Sequence, residues 1–170
     1  MNRKMIGYIL GKMLGVEGVL LLLPALVGAL YGESGSIYFV GTAVILVVIY
    51  LIAGRKSPAE TTLYAKEGFI IVASAWVLWS LFGALPFFLS GSIPNYLDAF
   101  FETVSGFTTT GSTILADVEA LPKCMLFWRS FTHWIGGMGV LVFVLVLTTL
   151  DKKNSMHLMR AEVPGPEKDK

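Results

Sequence analysis

The chain has 170 residues, of which 55% are AVILMFWYC and only 15% are Asp, Glu, Lys or Arg, with 18 glycines and a net charge of +1. Soluble domains carry about 25% charged residues spread over amphipathic faces; here the charges cluster between long uncharged runs, so a bilayer is the expected solvent. The near-neutral balance, without a dense Lys/Arg run, excludes nucleic-acid binding, and the single cysteine, Cys124, has no disulfide partner and no Cys or His companion at metal-ligand spacing.

In chain order, four stretches are apolar enough to span about 30 Å of hydrocarbon, which takes roughly 20 helical residues: residues 5–31, 36–53, 68–90 and 125–150. The first is too long for the apolar core of a cleaved signal peptide and lacks an A-x-A site, so it reads as a retained span. Lys12 and Glu17 interrupt it, which places its early turns in the interface with Lys12 snorkelling outward. Pro24 and Pro86 predict kinks in the first and third spans. All Lys and Arg except Lys123 and Arg129 fall before the first span's core, which begins near Val16, between the second and third spans, or after the fourth, so the positive-inside rule predicts that both termini are cytoplasmic.

The connection between the third and fourth spans is unlike an external loop. Asn95 is a good N-cap, Asp98 suits a first helical turn, and Leu97, Phe100, Phe101 and Val104 follow at helical spacing. A helix of about 12 residues, roughly 18 Å long, reaches mid-membrane without emerging. It runs into Ser105–Thr113, small polar residues and glycines with poor helix propensity, where the chain must turn back. Non-helical backbone at membrane depth is tolerated only inside protein or along a water-filled cavity. Carbonyls turned to a narrow axis can replace the hydration shell of a monovalent cation, and the short helix points its negative end there. Gly111 would supply the backbone angles that let its own carbonyl and that of Thr110 face the axis.

Residues 100–111 (FFETVSGFTTTG) closely resemble the first pore loop of the Trk/Ktr-type potassium uptake proteins, residues 128–139 (WRSFTHWIGGMG) the start of the following helix, and residues 159–166 (MRAEVPGP) the cytoplasmic connector beyond. The resemblance implies an all-α membrane fold: a hairpin of two transmembrane helices with its cytoplasmic loop (1–67), then a potassium-channel-like repeat (68–153) with outer helix 68–90, pore helix 95–107, filter 108–113 and inner helix 125–150, then a connector (154–170). It implies four joined repeats, each giving one filter strand, so that these residues are the N-terminal part of a longer chain. Thr110 and Gly111 would bind potassium through backbone carbonyls, with Thr109 and Ser112 as weaker positions. The implied setting is the bacterial inner membrane, with a cytoplasmic nucleotide-binding regulatory subunit and a homodimer of the complete protein, and with transported potassium instead of any bound cofactor.

Two other readings stand beside potassium uptake: a sodium/potassium pore of the same architecture, and a non-conducting membrane scaffold. An enzyme is disfavoured, because no HExxH, GxSxG or paired helix carboxylates occur. Other residues have plain readings as well. Gly136, Gly137 and Gly139 suit close helix packing better than a hinge. Arg129 and His133 suit hydrogen bonds to nearby backbone or acids, the four tryptophans suit headgroup levels or packing, and Asp98 and Glu102 divide evenly between gathering cations at a mouth and helix capping or partner contacts.

Overall fold

Glycine recurs on the first helix at Gly7, Gly11, Gly15 and Gly18, a spacing that lays a strip without side chains along one face. In the computed structural model, which describes residues 2–55, 57–58 and 65–149 apart from the side chains of 65–66 and 140–149, most of this strip receives another helix. α1 (Arg3–Leu20) and α2 (Leu22–Leu30) form one bent rod; α3 (Ser36–Ile49), prolonged by a π-helical turn at Tyr50–Gly54, returns along it. Gly11 meets Gly54, Gly15 meets the Tyr50 ring, and Gly18 meets Leu46. A Cβ on Gly11 would lie 2.7 Å from the Gly54 nitrogen, and one on Gly15 would lie 2.9 Å from Tyr50 Cγ. Lipid supplies no hydrophobic drive between helices, so such backbone proximity is what holds the pair together.

The bend in the rod falls at Leu21, one turn before Pro24. Proline has no N–H for the carbonyl four residues back and its ring crowds that carbonyl, so the expected kink appears at the Leu20–Leu21 step. Pro86 lies inside α4 (Ala65–Leu89), whose helix continues through it. α5 (Tyr96–Phe107) packs between α4 and α6 (Lys123–Thr149), and α1 packs against both α3 and α4. Among the described residues there is no strand, and three helical stretches are long and apolar enough to cross a membrane: Arg3–Leu30, Ser36–Gly54 and Glu67–Leu89. The connector at residues 154–170 lies outside the described residues.

The start of α6 is capped from far away in sequence. The N–H groups of Lys123 and Cys124, orphaned at a helix N-terminus, donate to the two carboxylate oxygens of Glu33 at 2.7 and 2.9 Å. Partial burial pushes the Glu33 carboxyl up, but the N–H groups of Cys124 and Lys123 outweigh it and hold the carboxyl below its usual range. A lowered folded-state value means stability that is present above the unfolded value, about 4.3, and is lost as pH falls through the folded one. Thermal melts of the detergent-solubilised protein should therefore drop at acid pH less steeply for Glu33→Gln than for the wild type; parallel acid limbs would remove Glu33 from this cap.

Candidate functional site

α5 starts where the Asn95 side chain accepts the Leu97 N–H at 3.0 Å, with Asp98 in its first turn. Its far end is gripped from several sides. Phe107 is 1% exposed and stands edge-on to Trp76, Trp79 and Trp128, with ring centroids 6.3, 5.7 and 6.2 Å away. A Cβ on Gly136 of α6 would overlap the Phe107 carbonyl oxygen, and one on Gly106 would overlap Thr132 Oγ1. Three of the four tryptophans thus build a socket for α5. Trp134 is exposed and stacks on Phe131 at 5.3 Å.

Beyond Phe107 the chain leaves the helix through two crossed hydrogen bonds. The Thr109 N–H donates to Gly106 O at 2.9 Å and the Thr110 N–H to Ser105 O at 3.0 Å, the pairing of a Schellman cap. That cap needs a left-handed residue, usually glycine, yet here it is Thr109 with φ 57°. A β-branched residue at such an angle carries strain of about 1–3 kcal/mol, and strain of this kind clusters at functional sites. Gly111 follows with φ 75° and open space around it. Among the described residues, none of the carbonyl oxygens of Thr108, Thr109, Thr110 and Gly111 accepts a hydrogen bond. Four bare carbonyls therefore follow the negative end of a short helix, a combination that favours cations. The Ser112 carbonyl differs, since it accepts the Ser105 hydroxyl at 2.6 Å and is tied back to α5.

Behind this turn lies a brace. Glu102, 1% exposed, receives Arg129 Nε on Oε1 at 2.5 Å, while its Oε2 accepts the Thr113 hydroxyl at 3.0 Å and the Ile114 N–H at 3.3 Å. One carboxylate thereby joins α5, the segment leaving the turn, and α6. Of the two readings open for Glu102, partner contact is the one realised. His133 Nδ1 lies 2.9 Å from the Arg129 carbonyl, in keeping with the plain reading of that pair.

The glycines of α6 divide. Gly136 packs on α5 and Gly137 faces open space, whereas Gly139, at φ 74° and ψ 143°, interrupts the helix. That angle pair suits only glycine, so the helix is broken at Gly139 and closely packed at Gly136. Glu17, one residue past the point where the sequence places the start of the first span's deep part, is fully buried with no hydrogen-bond partner on either oxygen among the described residues. Its Oε1 lies against Gly83 of α4, in the neighbourhood of Thr103 and Trp128.

Comparison with known proteins bears on this arrangement directly. The family model TrkH, described as a cation transport protein, matches residues 37–170. The chain belongs to the TrkH family. It is 38% identical over 95% of its length to the Trk system potassium uptake protein TrkH of Vibrio parahaemolyticus, and 37% identical over 99% to that of Escherichia coli K12. A crystal structure of the potassium transporter TrkH from Vibrio parahaemolyticus superposes with a TM-score of 0.74 at 35% identity, covering 87% of this chain and 32% of that one. The chain spans about a third of the length of the curated relatives it matches. As a TrkH-family member with several apolar helices it is an all-helical, multi-pass membrane protein of a transport family and not an enzyme.

Proposed function

We propose that this TrkH-family chain supplies one of four filter strands of a potassium uptake pore, with Thr110 and Gly111 coordinating the ion through backbone carbonyls and Thr109 beside them. Ser112 contributes less, its carbonyl being engaged by Ser105. The observation that carries the reading is the run of unbonded carbonyls at 108–111, directly after α5 and at two positive φ angles. Carbonyl oxygens in this setting replace an ion's hydration shell; the names of the relatives supply the ion.

In this reading residues 1–67 form an N-terminal hairpin, 68–153 the first pore repeat, and 154–170 the connector to further repeats. Both termini of the segment face the cytoplasm of a bacterial cell, a cytoplasmic nucleotide-binding subunit regulates the complete homodimeric protein, and an inside-negative potential drives uptake with about 2.3 kcal/mol per charge per 100 mV. Gly111→Ser in the complete protein, assayed by potassium and sodium uptake into cells lacking other potassium transporters, is the test. We expect potassium uptake to fall by about tenfold with weakened discrimination, since a left-handed angle costs a residue bearing a Cβ about 1–2 kcal/mol. Unchanged rate and selectivity would remove Gly111 from the ion path.

A further inference from the structure

On the face of α1 turned away from α5, a groove of about 620 Å³ runs between α1 and the end of α3, with Lys12 at one end, Gly15, Val19 and Leu20 along one wall, and Val47 and Tyr50 on the other. The wide π turn at Tyr50–Gly54 shapes it: Tyr50 is pressed onto Gly15, and Gly54 onto the backbone of Gly11 and Lys12. We propose that this groove binds one acyl chain of an anionic glycerophospholipid whose phosphate is held by Lys12.

Several observations converge on that occupant. Val19 and Val47 are exposed although the helices that carry them are apolar enough to span a bilayer, and a groove in such a surface must be filled by hydrocarbon or lose its dispersion contacts. From Lys12 to Leu20 the groove is about 12 Å long at 1.5 Å per residue, close to half of the roughly 30 Å hydrocarbon core, which is the depth of a single leaflet. Its volume is within the range of about 300–1,000 Å³ usual for small-molecule sites. The charge sits at one end only. Lys12 Nζ lies 4.5 Å over the Tyr8 ring, one turn nearer the N-terminus of α1, so its ammonium leans toward the end of the bundle that carries Arg3, Lys4 and Arg55. Basic pockets between membrane helices on that kind of surface recognise anionic headgroups. The inference does not depend on the proposed ion path.

The test uses the complete protein reconstituted in vesicles of phosphatidylcholine and phosphatidylglycerol, then extracted in mild detergent, with the retained lipids counted by mass spectrometry. We expect the wild type to retain phosphatidylglycerol over phosphatidylcholine by about fivefold relative to the vesicle composition, as the pull of one basic residue on an anionic headgroup gives. Lys12→Gln should return the ratio to that of the vesicles. A spin label on Val19→Cys in the same vesicles should be relaxed by dissolved oxygen, the signature of lipid contact. Retention without headgroup preference, a preference that survives Lys12→Gln, or a label at position 19 shielded because another helix of the longer protein fills the groove would each overturn the proposal.

Discussion

Gly136→Ala in the complete protein should abolish measurable potassium uptake and lower the thermal midpoint, while Gly137→Ala, one residue on, should leave both close to wild type. A Cβ at position 136 overlaps the carbonyl oxygen of Phe107, which is main chain and has no rotamer to change. α5 cannot easily yield, because the Phe107 ring is held among Trp76, Trp79 and Trp128. Inserting one methyl group into packed interiors costs about 1–3 kcal/mol, and here any relaxation displaces the very carbonyls that follow Phe107. At Gly137 an added Cβ meets nothing within 4 Å, and alanine is the better helix former by about 1 kcal/mol. Equal uptake and equal melting for the two variants would show that α6 does not set the end of α5.

How much of this was readable beforehand depended on whether the cause was local. The start of α5 needed only Asn95, Asp98 and an apolar run at helical spacing; its end needed only the loss of helix propensity after Phe107. The bend at Leu21 follows from Pro24 once the lost hydrogen bond is placed four residues back. What could not be read was set by register between distant segments. Glu33 caps a helix whose first N–H lies 90 residues away, and nothing near Glu33 in sequence hints at it. The three α6 glycines look alike in sequence, yet one packs, one faces open space and one breaks the helix, because only the depth at which α5 stops distinguishes them. Thr109 runs against local preference outright: a β-branched residue holds a position that glycine usually fills, and only the surrounding structure can enforce that. For Glu102 a signal was present, since an acid on a short membrane helix and an Arg on the next one are each expensive unless they meet.

That meeting yields the second large effect. Glu102→Ala should destabilise the complete protein by about 3–5 kcal/mol, the range for removing one partner of a buried ion pair, because it leaves Arg129 at 17% side-chain exposure without its carboxylate and strips the Thr113 hydroxyl and Ile114 N–H of their acceptor. The double variant Glu102→Leu, Arg129→Leu should recover much of that stability, since no charge is then stranded. It should not recover full ion discrimination, because Thr113 and Ile114 have still lost their ties to α5 and the Ser105 bond to Ser112 is left to hold the segment that leaves the turn. The alternative role for Glu102, gathering cations by its charge, makes a different prediction: charge steering at exposed sites is screened within a Debye length of about 10 Å at 0.1 M salt, so the defect in Glu102→Ala would fade as ionic strength rises. A brace predicts a loss of potassium over sodium preference that persists at high ionic strength, together with a lowered melting temperature. A defect confined to low salt, with unchanged melting, would return Glu102 to the mouth of the pore and leave the filter strand without its anchor.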